Sequence, residues 1–340
     1  MNAPVKTMSH PTHKFQLLLR REFWEHKGGF LWAPLVAGGI FLLLSLMGFG
    51  VGEMAARRAS GNFNVGDSSV EFNGIDLGAL TSQMDAHDML RLGQGIDLSL
   101  FMASTWPLIV LAFVVFFYCL GALYDERKDR SVLFWKSLPL SDRDTVLSKV
   151  ASALLVAPAL AVGAALATMF GFLLVLSAMV LVHGGNPFEM VWGPGSPLKV
   201  AAQMIAVIPV YALWALPTAG WLLLCSSWAK SKPFLWAIMI PVFAGIFVTW
   251  FDLMQLFDLE AGWFWKNIVG RSLMSVVPGT WFDVAHLDGI EFHGPEQLTT
   301  LMSLRTNYSV LATPQLWIGA AAGVAMIVAA IRLRRWRDEG

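Results

Sequence analysis

Residues 124–141 read YDERKDRSVLFWKSLPLS. After the tyrosine come six consecutive charged side chains, then a compact apolar group, then Leu-Pro-Leu-Ser. Hydrophobic runs lie on both sides, at 98–124 and 150–182. A charge at the centre of a bilayer costs about 2.5–3.5 kcal/mol on insertion scales, so the charged stretch is excluded from the hydrocarbon layer. It predicts a connector between two membrane-spanning helices, and residues 125–149 are called the connector below.

The composition predicts the same class for the whole chain. Hydrophobic residues make up 56% of it and charged residues only 14%. A helix needs about 20 apolar residues to cross the ~30 Å hydrocarbon layer. We therefore predict an all-α integral membrane protein, a single transmembrane domain over residues 1–340, with six transmembrane helices at 30–51, 98–124, 150–182, 200–228, 233–251 and 311–331. The third is longer than a bilayer requires, and Pro158 is expected to kink it.

The distribution of basic residues predicts the orientation. If both termini are cytoplasmic, the segments on that side hold 17 of the 24 Lys and Arg residues. The positive-inside rule favours this arrangement. Four arginines follow the last span directly: Arg332, Arg334, Arg335 and Arg337. Such a group is the usual signal for a cytoplasmic end, so no nucleic-acid partner is expected.

Two segments outside the spans have an interfacial pattern. Residues 15–27, in the cytoplasmic segment 1–29, are amphipathic and predict a helix lying on the inner membrane surface. Residues 261–282 are apolar enough to suggest a seventh span, but Lys266 and Arg271 would together cost about 5–7 kcal/mol at depth. We predict short helices in the outer leaflet there instead. The outer loops are 52–97 and 252–310, and the cytoplasmic tail is 332–340.

Several kinds of chemistry are disfavoured by missing motifs. The pattern G-x-x-x-x-G-K-[ST] does not occur, so the chain is not expected to hydrolyse ATP by itself, and no cofactor is predicted for it. Neither G-x-S-x-G nor H-E-x-x-H occurs. Cys119 and Cys225 fall within spans, so no disulfide framework is expected. Asp283, His286 and His293 could hold a divalent metal, but a solvated acidic loop is the simpler interpretation and no metal site is predicted.

The end of the connector predicts a helix start. Ser141 and Asp144 form a capping box of the S-x-x-D kind, so a helix should begin at Asp142 and continue into the third span. Pro139 interrupts any preceding helix. The apolar group of the connector could rest on lipid headgroups or dock in the groove of a partner protein. The residues alone leave both possibilities open.

Several of these residues resemble the connector of type-2 ABC exporter permeases. The matching features are Glu126-Arg127, Ser131, the apolar run 132–135, Ser-Leu-Pro-Leu-Ser at 137–141, and a basic residue, Lys149, leading into the third span. The order of spans and loops is similar as well. One departure is Lys128-Asp129-Arg130, where the family often has an acidic residue and a glycine.

The resemblance implies that the connector contains a coupling helix that contacts a separate ATP-binding subunit. Glu126, Arg127 and Arg130 would then supply polar contacts, and Leu133, Phe134 and Leu138 apolar ones. Pro139 and Ser141 belong to the same coupling motif. ATP and Mg²⁺ would be bound by two copies of the partner subunit, and this chain would pair with a second copy of itself or a homologous permease.

The implied function is that of a non-enzymatic permease in the bacterial inner membrane, surrounded by lipid. The substrate path would lie between spans 2 and 5 of two such chains. These faces offer seven aromatic residues, which suit a hydrophobic or amphiphilic substrate: Trp106, Phe113, Phe116, Phe117, Phe243, Phe247 and Trp250. The alternatives are a membrane scaffold or assembly factor whose connector binds a non-ATPase partner, and an intramembrane enzyme using the outer Asp and His residues.

Overall fold

The structure is a computed structural model, and it describes residues 11–59, 63–65, 68–70, 84–131, 140–255, 260–283 and 303–336. Leu133, Phe134, Leu138 and Pro139 of the predicted coupling helix lie outside these residues, as do His286 and His293. Within the described residues, six helices are long and apolar enough to cross a membrane: Gly28–Ala55, Ala86–Lys128, Asp142–Val182, Pro197–Trp214, Pro233–Leu253 and Pro314–Trp336. The predicted helical, multi-pass membrane protein with six candidate spans is therefore confirmed. They are called spans 1 to 6.

The remaining elements are short. An N-terminal helix, Pro11–Glu25, precedes span 1. Strands β1, Phe63–Val65, and β2, Ser68–Val70, pair antiparallel with Phe63 opposite Val70. Between spans 3 and 4 there is one π-helical turn, Phe188–Trp192. Beyond span 5 the chain forms Ala261–Phe264, a π-helical turn Trp265–Gly270, Arg271–Met274, a 3-10 turn Thr280–Asp283, helix Leu304–Ser309 and a 3-10 turn Val310–Ala312.

Several spans contain more than one helical segment. Span 1 begins with a π-helical turn, Gly28–Trp32, and its α-helix is Ala33–Ala59. Span 2 comprises Ala86–Gly121 and a short helix Tyr124–Lys128 at the start of the connector. Asp85 caps its N-terminus, because its side chain accepts hydrogen bonds from two backbone N–H groups of the first turn.

Span 3 begins at the capping box that the sequence predicts. Ser141 Oγ accepts a hydrogen bond from the backbone N–H of Asp144 at 3.0 Å, and helix Asp142–Ala151 starts there. The span continues through a π-helical turn, Ser152–Val156, into Ala157–Val182. Its 41 residues reach about 60 Å, far beyond one hydrocarbon layer. The π-helical turn lies directly before Pro158, where the missing proline N–H disturbs the regular hydrogen-bond ladder.

Span 4 departs from the prediction of one continuous helix at 200–228. It is built from Pro197–Ala206 and Ile208–Trp214, and a further helix, Leu216–Trp228, follows directly. Pro209 is the second residue of helix Ile208–Trp214, and Pro217 is the second residue of helix Leu216–Trp228. In the first turn of a helix the missing proline N–H breaks no hydrogen bond. The two prolines therefore divide the predicted helix, although the stretch is hydrophobic throughout.

Helix Leu216–Trp228 and span 6 touch through glycines. A Cβ added to Gly220 would lie 2.5 Å from the carbonyl oxygen of Gly323, and one added to Gly323 would lie 2.5 Å from the Leu216 backbone. Gly319 and Gly323 have the G-x-x-x-G spacing that lets membrane helices approach closely. This contact fixes helix Leu216–Trp228 against the last span.

The segment 260–283, called the outer segment, is absent from the six candidate spans. Its helix packs on span 5, where Trp265 lies against Gly245 and donates from Nε1 to Thr249 Oγ1 at 2.8 Å. Trp281 is buried and donates from Nε1 to Asn307 Oδ1 at 2.8 Å. Trp281 therefore attaches the outer segment to helix Leu304–Ser309 from inside the fold.

Candidate functional site

Four buried charged side chains meet at the end of the helix bundle where the connector begins and ends. They are Glu22, Glu126, Lys149 and Arg334, called the charge cluster. Their exposed fractions are 0%, 8%, 1% and 6%. Each comes from a different part of the chain, namely the N-terminal helix, the start of the connector, the first turns of span 3 and the end of span 6.

The distances within the charge cluster are those of direct ion pairs. Lys149 Nζ lies 2.9 Å from Glu22 Oε1 and 3.0 Å from Glu126 Oε1. Arg334 Nη1 lies 2.8 Å from Glu126 Oε2. Glu126 thus bridges two cations, and the four charges sum to zero. Charge-assisted hydrogen bonds of this length are the stronger kind, and their pairing offsets the cost of burial.

Further polar groups surround the charge cluster. Tyr118 donates its hydroxyl to Glu22 Oε2 at 2.8 Å, and Arg334 Nε donates to Asp142 Oδ1 at 3.2 Å. Arg21 Nη2 lies 3.5 Å from Glu126 Oε1. Every carboxylate oxygen of Glu22 and Glu126 therefore has a partner within this chain. Removing one partner of a buried ion pair costs about 3–5 kcal/mol of stability. Arrangements of this end of the bundle that separate these pairs are therefore disfavoured.

The start of the connector is also attached to the end of helix Leu216–Trp228. The backbone N–H groups of Leu123 and Tyr124 donate to Ser226 Oγ at 3.0 and 2.9 Å. Arg127 Nη2 donates to the carbonyl oxygen of Ser226 and, at 3.0 Å, to that of Ala229. A cation at these final carbonyls stabilises the helix end through its hydrogen bonds and the helix dipole.

Arg130 has a different environment from Glu126, Arg127 and Ser141, the other predicted coupling residues that the structure describes. Its side chain is exposed, and its backbone φ of 56° is left-handed, a conformation that is costly for residues with a Cβ. Arg130 belongs to the stretch Lys128-Asp129-Arg130, where the sequence departs from the pattern of the resembling family. Of the eight predicted coupling residues, the structure describes four, and it brings Glu126 and Arg127 together with other spans while leaving Arg130 at the surface. Ser141 caps span 3.

The seven predicted path aromatics separate into three groups. Phe113, Phe116 and Phe117 line a cavity of about 950 Å³ between spans 2 and 5 and the outer segment. Trp106 lines a second cavity, of about 550 Å³, where its ring lies 6.1 Å from that of Phe41 in span 1. The other three project from span 5 and are 58%, 65% and 60% exposed: Phe243, Phe247 and Trp250.

The larger cavity is lined almost entirely by apolar side chains. Span 2 contributes residues from Phe101 to Phe117, and spans 3 and 4 close the opposite side. The rings of Phe117 and Phe234 stack with centroids 6.0 Å apart at the connector end. Gln203, from span 4, is half-buried at the other end. This lining suits hydrocarbon far better than water or ions.

Two groups of potential metal ligands occur among the described residues. Glu22, Glu25 and His26 form one, but Glu22 is already paired with Lys149 and Tyr118. Asp85, His87 and Asp88 form the other, which is fully exposed and includes the N-cap of span 2. Exposed acidic groups at a helix start are explained by capping alone.

The charge cluster was only partly foreseeable from the sequence. Lys149 belongs to the connector motif, but Glu22 lies in an amphipathic helix where a polar face is expected, and Arg334 lies in an arginine tail that topology explains. Tyr118 had no sequence signal at all. The sequence signal for a buried charge cluster is the combination of three features. They are a basic residue at the start of one span, a carboxylate at the end of another and a carboxylate beside an apolar helix face.

Comparison with protein-family models, with curated proteins and with solved structures finds no significant match to this chain.

Proposed function

We propose that this chain is the membrane-spanning permease subunit of an ATP-driven ABC exporter. Two permease chains, identical or homologous, would form the translocation path. Two copies of a separate subunit would bind and hydrolyse ATP with Mg²⁺ and would dock on the connectors. The connector motif at 126–141, with Lys149, suggests this family, and the charge cluster supports a mechanical role for the connector.

The observation that carries the proposal is the attachment of both connector ends to the spans. Glu126 at its start and Lys149 at its end bind each other directly, at 3.0 Å. Glu22 and Arg334 bind this pair in turn. Displacement of a connector held in this way moves spans 2, 3 and 6 together with the N-terminal helix, whereas a loose loop would absorb the same displacement. A subunit driven by ATP hydrolysis on another chain requires such a link.

The attachment also gives Glu126 and Arg127 a role distinct from direct contact with the ATPase. Both side chains bind groups of this chain, so in the proposal they transmit movement. Docking would fall to Arg130 and to the apolar residues Leu133, Phe134 and Leu138. Pro139 and Ser141 would set the bend and the start of span 3.

The orientation in this proposal follows from charge. The connector end of the bundle would face the cytoplasm of a bacterial cell, with the chain in the inner membrane, because the segments at that end hold 17 of the 24 basic residues. A hydrophobic or amphiphilic substrate is favoured by the aromatic residues of spans 2 and 5. ATP and Mg²⁺ would be held only by the partner.

The experiment is affinity purification of the chain from mild detergent, with the copurifying proteins identified and counted. We expect two ATP-binding subunits per two permease chains. Leu138→Asp should remove the ATPase from the complex, since it places a charge in an apolar docking face. Glu126→Gln should leave the ATPase bound but uncouple its hydrolysis from transport. Asp125→Asn is the matched control, because this neighbouring carboxylate is exposed.

Two results would contradict the proposal. One is a chain that purifies without any ATPase from cells that express one, which would favour a scaffold or assembly factor. The other is normal ATPase binding and normal transport in Leu138→Asp, which would remove the connector from the mechanism.

A further inference from the structure

The cavity of about 950 Å³ lies within one chain, between spans 2, 3, 4 and 5 and the outer segment. We propose that it is a binding site for the hydrocarbon chain of an amphiphile, whose polar end is held by Gln203. The inference concerns this chain alone, so it holds for a permease and for a scaffold alike.

The shape of the cavity fits a long hydrocarbon chain. Phe101 and Phe117 line it sixteen residues apart on span 2, which corresponds to about 24 Å along the helix. One leaflet of the hydrocarbon layer is only about 15 Å deep, half of the ~30 Å total. The site is therefore long enough for an extended acyl chain, and its volume lies within the range of ligand sites, about 300–1,000 Å³.

The lining selects hydrocarbon by its chemistry. Phe101, Phe113 and Phe116 contribute aromatic surface, and Val162 and Met204 contribute aliphatic surface. Apolar walls of this kind do not hold water, whereas each methylene placed against them gains dispersion contacts. The stacked rings of Phe117 and Phe234 limit the site at its connector end.

Polar groups of the lining are mostly already bonded. Tyr211 donates its hydroxyl to the carbonyl oxygen of Val276 at 3.0 Å, and Thr105 donates to that of Phe101 at 3.0 Å. Asn307 accepts from Trp281, and Thr280 accepts from Trp214. Among the residues that the structure describes, Gln203 has no such partner. Its amide can both donate and accept, so it can bind an ester, an amide, a hydroxyl or a phosphate oxygen.

The position of Gln203 sets the direction of the ligand. Gln203 lies in helix Pro197–Ala206, at the end of the cavity away from the connector, close to the span 2 residues near Phe101. The polar end of the amphiphile would therefore face the outer loops, and its methyl end would face the ring pair of Phe117 and Phe234. A polar group at one end and a long apolar body is the arrangement of a fatty-acyl lipid.

The test uses the purified full-length chain in nanodiscs and hexadecanoic acid that carries a photoreactive diazirine on its chain. After irradiation, labelled peptides are identified by mass spectrometry. We expect labelling to concentrate on cavity residues of spans 2 and 4. Ala112→Trp fills the cavity and should reduce this labelling at least tenfold, whereas Ala202→Trp, an equal change at an exposed neighbour of Gln203, should leave it unchanged.

Two additional variants separate the parts of the proposal. Gln203→Leu keeps the shape of the side chain but removes its hydrogen bonds, and we expect roughly tenfold weaker labelling at equal probe concentration. Val162→Phe is a second filling variant, used if Ala112→Trp does not elute as a folded protein. Labelling spread over all lipid-facing positions and unaffected by either filling variant would overturn the proposal.

A final measurement assigns the source of the amphiphile. Lipid retained by the chain through purification is extracted and identified, with and without ATP turnover by any copurified ATPase. An amphiphile that stays bound during turnover is a resident membrane lipid, and one that is released is cargo. Either result supports the site only if the filling variants Ala112→Trp and Val162→Phe retain less of the amphiphile than the wild-type chain. No lipid retained by the wild-type chain, together with failed labelling, refutes it while leaving the coupling role of the connector untouched.

Discussion

Replacing Glu126 by glutamine should strongly destabilise the connector end of the protein. Glu126 is the bridging anion of the charge cluster, 3.0 Å from Lys149 and 2.8 Å from Arg334. The substitution keeps the size of the side chain but leaves Lys149 with Glu22 as its anionic partner and Arg334 with the half-buried Asp142. At an effective dielectric constant near 20, each lost pair corresponds to about 5 kcal/mol of attraction. Burying a neutral glutamine costs less than burying the Glu126 carboxylate, which offsets part of this lost attraction. We therefore expect the free energy of unfolding to fall by about 3–5 kcal/mol.

The assay is reversible unfolding of the purified chain in mixed micelles, followed by tryptophan fluorescence. Asp125→Asn serves as the control for loss of a negative charge next to the same helix, and we expect it to change the free energy of unfolding by less than about 0.5 kcal/mol. A Lys149→Gln variant and the double variant complete a double-mutant cycle. The two single losses should add up to about 1–3 kcal/mol more than the loss of the double variant, because neither Glu126 nor Lys149 then remains buried without the other. Glu22 loses Lys149 and Arg334 loses Glu126 in a single variant as well as in the double variant, so these losses cancel in the cycle.

Two outcomes would refute this reasoning. If Glu126→Gln unfolds with wild-type stability, the charge cluster does not hold the connector end together. If the double variant shows additive losses, Glu126 and Lys149 act independently, and the distances between them have no energetic meaning.

Three further changes have expected outcomes measurable by the same unfolding assay. Gly323→Val should destabilise the protein by about 1–3 kcal/mol, because its side chain would meet the Leu216 backbone, whereas Gly39→Val, with no atom near its added carbon, should change little. Arg130→Gly should stabilise it by about 1 kcal/mol through relief of the left-handed backbone, and Lys128→Gly in the preceding helix should do the opposite. Arg271→Met should also stabilise it, by about 1–2 kcal/mol. The Arg271 guanidinium lies 3.5 Å from the Trp214 ring centroid, but its terminal nitrogens are buried without an acceptor among the described residues, and one cation–π contact returns less than this burial costs. Burial lowers the pKa of Arg271 to about 10, so the side chain is still charged at neutral pH. Exposed Arg305→Met is its control, and a clear loss of stability in Arg271→Met would show that the stacking on Trp214 dominates.

The sequence predicted those parts of the fold that depend on neighbouring residues. Hydrophobic runs identified the six candidate spans, and the Ser141–Asp144 pair located the start of span 3 to the residue. Both signals are local, because hydrocarbon thickness and helix capping act over a few turns at most. Pro209 and Pro217 are also local signals, for the helix starts that divide the predicted span 200–228. A prediction from hydrophobicity alone does not take these prolines into account.

The charge cluster could not be predicted in this way. Glu22 and Lys149 are separated by 127 positions, and Glu126 and Arg334 by 208. Each residue has an ordinary local explanation, as a polar helix face, a topological signal or a charged loop. Only the packing of spans 2, 3 and 6 around the N-terminal helix brings the four side chains together and removes them from water.

The long sequence separation between the residues of the charge cluster has a consequence for the assembly of the protein in the membrane. Membrane helices enter the bilayer in the order of their synthesis, and domains form as their segments become available. Glu22, Glu126 and Lys149 can meet once three spans are inserted, but Glu126 Oε2 lacks its partner at 2.8 Å until Arg334 arrives at the end of the sixth. The ion pair between Glu126 and Arg334 can therefore form only after the sixth span has been inserted. Until then this part of the ion-pair network is unfilled, so the connector end reaches its final arrangement only after the sixth span has been added.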